Sequence, residues 1–171
     1  GFYPQLTEMG WRYPVTSGLS VNRTFKKNSH SHPGWGRWFR QIETKSLSGS
    51  TLMKGPLETP LLILDRKGKG RVALLLSDHI WLWARGYEGG GPQAELLRRI
   101  AHWLMKEPEL EEEALKAEFH MGRLIIRRSS LSDQIANIQI TSPSGKVKAY
   151  KINNNNGFHN ELVITSNEIG L

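Results

Sequence analysis

The chain has no cysteine among its 171 residues. Disulfide bonds, zinc-thiolate sites, iron–sulfur clusters and a cysteine nucleophile are therefore excluded for this chain. Long apolar runs are also lacking. The longest, at 61–64 and 72–76, have the length of strands, whereas a helix that crosses a bilayer needs about 20 apolar residues. The sequence predicts no transmembrane segment within these residues.

The N-terminus has neither an initiator methionine nor a basic segment followed by an apolar one. No signal peptide is therefore predicted. We expect the chain to be a fragment of a longer protein, and the rest of that protein is free to contain targeting or membrane-spanning segments.

Basic residues outnumber acidic ones, and the excess is unevenly spread. The chain has 23 Lys and Arg residues against 16 Asp and Glu, a formal net charge of +7. Residues 1–55 contain eight basic and two acidic side chains, whereas residues 107–119 contain six glutamates and one lysine. A basic face can bind nucleic acid, anionic lipid or an acidic protein, but an ordinary solvated surface has the same composition. Nucleic acid is the less expected partner, because the base-stacking pattern of RNA-binding modules is missing.

Residues 1–116 are expected to form an α/β domain. Residues 37–44 alternate apolar and polar side chains, which predicts a half-buried strand. Residues 60–78 predict two buried strands joined by a tight turn at 67–70. An amphipathic helix follows, with Pro92 in its first turn. Its predicted apolar face consists of Ala94, Leu96, Leu97, Ile100, Ala101, Trp103 and Leu104.

The remaining residues are expected to form a small all-β, sandwich-like domain at 117–171. Residues 108–119 predict a second short helix with its acids toward the N-terminal end. After about residue 115 the hydrophobic period changes to two, and the turn segments PSG and NNNNG separate the apolar runs. We therefore place the domain boundary near residues 114–118.

The segment SDHIWLWARGYEGGG, residues 77–91, joins the second strand to the helix. Many enzymes hold a phosphate or present a nucleophile on such a strand–loop–helix unit. The glycines are followed by PQ instead of K and S or T, and GYEGGG does not contain G-x-G-x-x-G. Glu88 would also repel a phosphate. The neighbouring residues Ser77, Asp78 and His79 are too close in sequence to converge as a triad. No catalytic residue is predicted.

Two explanations of this loop stay open. In the first, its tryptophans pack at the sheet edge, Arg85 pairs with an acidic neighbour (Asp78 or Glu88), and the glycines allow a tight reversal with positive φ. In the second, the loop binds a ligand or a partner, because open α/β sheets bind ligands beyond the carboxyl ends of their strands. The candidate residues for such a site are Asp78, Trp81, Trp83, Arg85, Glu88, Gly89, Gly90 and Gly91.

Other patterns are less specific. His30 and His32 have the spacing of metal ligands on a strand, but no third ligand is near them in the sequence, so no metal site is predicted. No cofactor is predicted either. Four basic residues near the N-terminus are the basis of a nucleic-acid-binding alternative, because aromatic side chains interleave with two of them. They are Lys26, Lys27, Arg37 and Arg40.

Three stretches resemble a known family. YPVTSGL (13–19), WGRWFRQIE (35–43) and residues 60–115 are similar to the later part of a class I glutamine amidotransferase-like domain. The similarity is to the version found in large, uncharacterised bacterial inner-membrane proteins. In those proteins the domain lies between transmembrane helices and often accompanies a von Willebrand factor A-like region. The resemblance covers about residues 10–115.

The resemblance implies a fold and a location. It implies that residues 1–116 are part of a doubly wound, flavodoxin-like α/β sheet, incomplete at its N-terminus, followed by an immunoglobulin-like β domain that is incomplete at its C-terminus. Class I amidotransferases use a cysteine nucleophile with a histidine and a glutamate. This chain has no cysteine, so no catalytic residue is transferred and we do not expect an enzyme.

We therefore expect a non-catalytic, periplasmic part of an inner-membrane protein that acts in protein–protein interaction or envelope assembly. Its expected partners are other proteins and the rest of its parent protein. Two alternatives remain: a sensor that binds a small ligand at residues 78–91, and nucleic-acid binding through the basic N-terminal region.

Overall fold

The computed structural model describes residues 1–19, 34–44, 48–132, 134–152 and 159–165. The chain divides into two compact units, Gly1–Leu110 and Glu111–Leu171. Helix accounts for 24% and strand for 41%, in several antiparallel sheets, so the fold is mixed.

The first unit is built on a four-stranded antiparallel sheet with the order β1-β2-β3-β4. Its strands are β1 (Gln5–Leu6), β2 (Ser50–Lys54), β3 (Pro60–Lys67) and β4 (Gly70–Leu75). The predicted hairpin is confirmed: Lys67 lies opposite Gly70, and Gly68 adopts a φ of +58° in the two-residue turn. The apolar residues 61–64 of β3 are buried, whereas β4 alternates between half-buried and exposed positions. The prediction of two buried strands is therefore right for β3 and wrong for β4, which lies at the edge of the sheet.

The doubly wound sheet that the resemblance implies requires parallel strands, and no parallel pair occurs within the described residues. The physical reason is the length of the connections. A two-residue turn joins β3 to β4, and only five residues join β2 to β3, whereas a parallel crossover needs about a dozen. The α/β assignment of the first unit is thus not confirmed.

Within the described part of this unit, four helices accompany the sheet: α1 (Glu8–Arg12), α2 (Pro14–Ser17), α3 (Trp81–Ala84) and α4 (Gln93–Leu104). The helix predicted after the glycines is α4, and Pro92 is its N-cap. Its buried face is narrower than predicted. Leu96, Ile100 and Trp103 are buried, whereas Leu97 and the other predicted positions (Ala94, Ala101, Leu104) are exposed.

The predicted strand at 37–44 does not form. A single bridge joins Trp38 to the N-terminal segment. The backbone N–H of Phe39 donates to Nδ1 of His79 at 3.0 Å, and that of Ile42 donates to the backbone carbonyl that follows β4. Because successive residues bond to different partners, no ladder is established.

The second unit contains a three-stranded sheet with the order β5-β6-β9 and a two-stranded sheet, β7-β8. Its strands are β5 (Glu113–His120), β6 (Arg123–Ser130), β7 (Ala136–Thr141), β8 (Val147–Ile152) and β9 (His159–Thr165). The helix predicted at 108–119 is wrong: a 3-10 turn at Pro108–Leu110 is followed by β5. Met121 and Gly122, with φ of +48° and +75°, form the tight turn that pairs β5 with β6. The compact second unit begins at Glu111, and β5 covers the residues 114–118 near which the sequence placed the boundary.

Candidate functional site

The candidate residues lie between β4 and α4, next to the segment 34–40. After β4 ends at Leu75, the chain forms α3 and a 3-10 turn at Tyr87–Gly89 before α4 begins. The backbone N–H of Gly36 donates to the carbonyl of Gly90 at 2.7 Å. Two stretches that are far apart in sequence therefore build the site together.

Trp83 is the buried centre of this region. Its indole N–H donates to the carbonyl oxygen of Gly36 at 2.8 Å. Its ring centroid lies 5.1 Å from that of Trp35 and 4.7 Å from that of Trp38, both of which are also buried. Trp83 therefore packs the loop against the segment 34–40.

The glycines allow the backbone to approach this tryptophan closely. A Cβ atom on Gly91 would lie 2.4 Å from Cδ2 of Trp83, and one on Gly90 would lie 2.8 Å from the carbonyl oxygen of Trp83. Gly89 and Gly90 adopt φ of +90° and +69°, a region that side chains disfavour. On the facing segment, a Cβ on Gly36 would lie 2.1 Å from the carbonyl oxygen of Tyr87. This is the structural role that the first explanation gives to the glycines.

The two acidic candidates form ion pairs, but not with Arg85. Nε of Arg37 lies 2.8 and 3.0 Å from the carboxylate oxygens of Glu88. Nε of Arg40 lies 3.2 Å from Oδ1 of Asp78. The expected pairing with Arg85 is wrong, because the segment 34–40 places its own arginines beside both carboxylates. The exposed side chain of Arg85 makes no ion pair within the described residues.

These pairs keep both carboxylates charged. The hydrogen bonds from Arg37 hold the pKa of Glu88 below its ordinary value of 4.5. The hydrogen bond from Arg40 likewise lowers the pKa of Asp78 below 3.8. A general acid needs a proton to give near neutral pH, so neither group is suited to that role.

Four aromatic side chains form a row on this surface, of which three are exposed and the fourth, His79, is half-buried. The ring centroid of Phe39 lies 5.7 Å from that of Tyr87 and 6.3 Å from that of His79, both in edge-to-face arrangement. His79 in turn lies 6.5 Å from Trp81. Phe39 is 50%, Trp81 51% and Tyr87 39% exposed. We call Phe39, His79, Trp81 and Tyr87 the aromatic row.

The sequence identified only Trp81 of this row. Phe39 lies 40 residues away from its partner His79, and no local pattern links the two positions. A usable signal was present in WGRWFRQ, residues 35–41, where three aromatic side chains occur within five positions, 35–39. A single strand face cannot bury all three, since alternate residues face opposite sides.

The hydroxyl of Ser77 is hydrogen-bonded to two backbone groups. It donates to the carbonyl of Arg40 at 2.6 Å and accepts the backbone N–H of His79 at 3.1 Å. Nδ1 of His79 accepts the backbone N–H of Phe39. The side chains of Ser77 and His79 therefore do not have the nucleophile–base arrangement of a serine hydrolase.

Several other predicted residues lie outside the described part of the chain, namely Lys26, Lys27, His30 and His32. In the described ranges, no three His, Asp or Glu side chains gather as a metal-binding group. Across those same ranges, no helix is both long and apolar enough to span a membrane.

Comparison with known proteins adds no relative. No family model matches the chain, and neither a curated protein nor a solved structure is significantly similar to it. Function must therefore be inferred from the chemistry of the site.

Proposed function

We propose that the aromatic row is a protein-binding surface on a non-catalytic part of a membrane-anchored bacterial protein. The observation that supports this proposal is the exposure of three large rings, connected by successive ring contacts through His79. Arg40 follows Phe39 directly in the chain. Tryptophan, tyrosine and arginine are the residues most enriched at the energetic centres of protein interfaces.

The row is held in place before any partner binds. Phe39 is fixed by its backbone hydrogen bond to His79, and the neighbouring Trp38 packs on buried Trp83. Rings fixed in this way lose little conformational entropy on binding, which favours affinity. The flanking charges neutralise each other in pairs, so we expect a partner surface with an apolar centre and a polar rim.

The proposed location and fold rest on the sequence resemblance. Similarity to the amidotransferase-like domains of inner-membrane proteins supports a periplasmic location, a role in envelope assembly, and the rest of the parent protein as a further partner. The same similarity supports the second unit as an immunoglobulin-like domain, whereas the antiparallel sheet of the first unit argues against its being part of a doubly wound α/β domain. The lack of cysteine and the committed hydroxyl of Ser77 support a non-catalytic role.

A small-ligand sensor is the second proposal for the same loop. Trp81 and Arg85 are both exposed and lie four positions apart on one helical turn, where a ring and a cation are neighbours. Calorimetry with glutamine-like compounds and sugars should then show heat at millimolar concentrations, and its absence would remove this proposal.

Nucleic-acid binding is the least supported alternative. Arg37 and Arg40 are already paired with carboxylates, so contact with phosphate would have to displace Glu88 and Asp78. If nucleic acid were the partner, its affinity would fall steeply with salt; a flat salt response would eliminate this alternative.

Protein binding by the row is tested by photo-crosslinking in native cells. A benzophenone side chain is placed at position 39 or 81 and, as a control, at Leu57, which is 95% exposed in the connection between β2 and β3. We expect the same cross-linked protein from both positions of the row and none from position 57. No adduct at either position of the row, or the same adduct from all three, would contradict the proposal.

A further inference from the structure

The outer edge of β4 is a second open surface of the first unit. β4 pairs with β3 on one side, and no other strand of the described residues pairs with it. The N–H of Leu76 donates to the carbonyl of Leu61 in β3 at 2.8 Å. Because N–H directions alternate along a strand, the N–H groups of Val72 and Leu74 also face β3, and that of Ala73 faces the open side.

This edge lacks the features that normally prevent edge-to-edge pairing, which are proline, projecting charge and bulges. Residues 72–75 are VALL, and their register with β3 is regular. The charged residue of β4 that lies nearest to this VALL segment is Arg71, and its side chain binds to α4 and does not project from the edge. Its Nη1 donates to the carbonyl of Trp103 at 2.5 Å, and its guanidinium lies 5.0 Å from the centroid of that ring.

One flank of α4 is apolar and exposed. Leu97 is 41% and Leu104 39% exposed, and the exposed Ala94 and Ala101 lie on the same flank by helical spacing. Around the helix, no charged residue of α4 lies between Leu104 and Ala94, and the exposed Arg98 borders the flank about 40° beyond Ala94. Arg99, roughly 160° around the helix from Leu97, donates to backbone carbonyls in and just after α2. The apolar flank therefore faces away from α2.

The flank and the edge adjoin each other. α1 packs against β2, α4 packs against β4, and α2 contacts both helices. The side of α4 that faces away from α2 thus points outward beyond β4, where the open edge lies. We call the edge of β4 and the flank containing Leu97 and Leu104 the apolar border.

We propose that the apolar border is a dimer interface occupied by a second copy of the chain. An antiparallel strand can pair with its own copy about a two-fold axis. Pairing centred on Ala73 places Val72 beside the partner subunit's Leu74, and it places Arg71 opposite the partner subunit's Leu75. No like charges are then opposed, and the two four-stranded sheets become continuous.

The same axis places both α4 helices on one face of the joined sheet, with their uncharged flanks toward each other. A second copy fits better than a charged partner, because the border offers no charge to select an acidic or basic surface. Antiparallel edges and apolar flanks are both self-complementary. The aromatic row takes no part in this interface, so the inference goes beyond the proposed function.

Sedimentation of the purified 171-residue chain tests the dimer. We expect a mass twice the 19.4 kDa of the monomer. Ala73→Pro removes an N–H that faces the open side and leaves the ladder with β3 intact. Leu97→Glu places like charges across the axis. Each variant should weaken the dimer by more than about a hundredfold.

Leu57→Glu is the matched control, because it introduces the same charge at an exposed leucine outside the border, and it should dimerise like the unmodified chain. Circular dichroism checks that each variant is folded. If Ala73→Pro does not fold, the test of the dimer rests on Leu97→Glu, whose substitution lies on an exposed flank. A monomer at concentrations up to about 100 µM, or a dimer that Leu97→Glu leaves unchanged, would overturn the inference. If the border instead binds a segment of another protein, the purified chain would sediment as a monomer.

Discussion

Replacing Gly91 by alanine should destabilise the first unit, because the added methyl group meets the ring of Trp83. Its Cβ would lie 2.4 Å from Cδ2 and 2.7 Å from Cε2, well inside van der Waals contact. The ring cannot easily yield, since it is buried between Trp35 and Trp38.

The expected cost follows from overpacking of a filled site, which typically amounts to about 1–3 kcal/mol. Contact with three ring atoms at once places Gly91→Ala in the upper part of that range, at about 2–3 kcal/mol. Gly70→Ala is the matched control. Its Cβ would meet nothing closer than the carbonyl oxygen of Lys67 at 3.4 Å, so its effect should stay within about 0.5 kcal/mol.

Tryptophan fluorescence during urea unfolding is the appropriate assay. All six tryptophans lie in Gly1–Leu110, so the signal reports the first unit alone. A lower midpoint at unchanged slope measures the loss of stability. Equal midpoints for Gly91→Ala and Gly70→Ala would refute the packing role of the glycines and restore the ligand-binding explanation of the loop.

Three further substitutions follow from the same structure. Trp83→Ala should cost about 3–5 kcal/mol, because a fully packed ring and its hydrogen bond to a backbone carbonyl are lost; a loss below about 1 kcal/mol in thermal unfolding would contradict this. Glu88→Gln removes the ion pair with Arg37, whose stabilisation is present above pH 4.5 and is lost as pH falls through the lowered pKa of Glu88. The difference in Tm between Glu88→Gln and the unmodified chain should therefore shrink on acidification. A difference in Tm that does not depend on pH would contradict the stabilising role of this ion pair. Ser130→Ala deprives a fully buried site of the hydroxyl that donates to Glu113 at 2.7 Å. It should lower amide protection in β5 and β6 by about 1–3 kcal/mol, and unchanged hydrogen exchange would count against it.

Local signals in the sequence predicted several elements correctly. The hairpin of β3 and β4 follows from two apolar runs around KGKG, and α4 follows from its helical periodicity after the glycines. Each of these elements is determined by residues that are close together in the chain. The packing of Trp83 under the glycine loop also agrees with the first explanation of that loop.

The predictions that were wrong concern elements whose structure depends on contacts outside the local sequence. The acidic segment before residue 119 has helical composition, but it forms β5 because β6 supplies a partner strand through the turn at Met121 and Gly122. Tertiary context thus outweighs a weak helical preference. The apolar arc of α4 is wider than the surface that covers it, so Leu97 could not be assigned to core or surface from periodicity.

The candidate site was only partly predictable for the same reason. Asp78 and Glu88 were recognised as charged groups of the loop, but their partners Arg40 and Arg37 lie 38 and 51 residues earlier in the chain. Arg85, which is nearer in sequence, points elsewhere. Contacts between distant segments create the aromatic row, and no local pattern links Phe39 to His79, although the crowded aromatic residues at 35–39 were a partial sign.

The proposed location and partners depend on one claim, that this chain is part of a larger membrane-anchored protein. Fractionation of native cells, probed with an antibody raised against the purified chain, tests it most directly. The account predicts a band several times larger than 19.4 kDa in the membrane fraction. A soluble band at 19.4 kDa would contradict it and would make ligand and nucleic-acid binding the next functions to test.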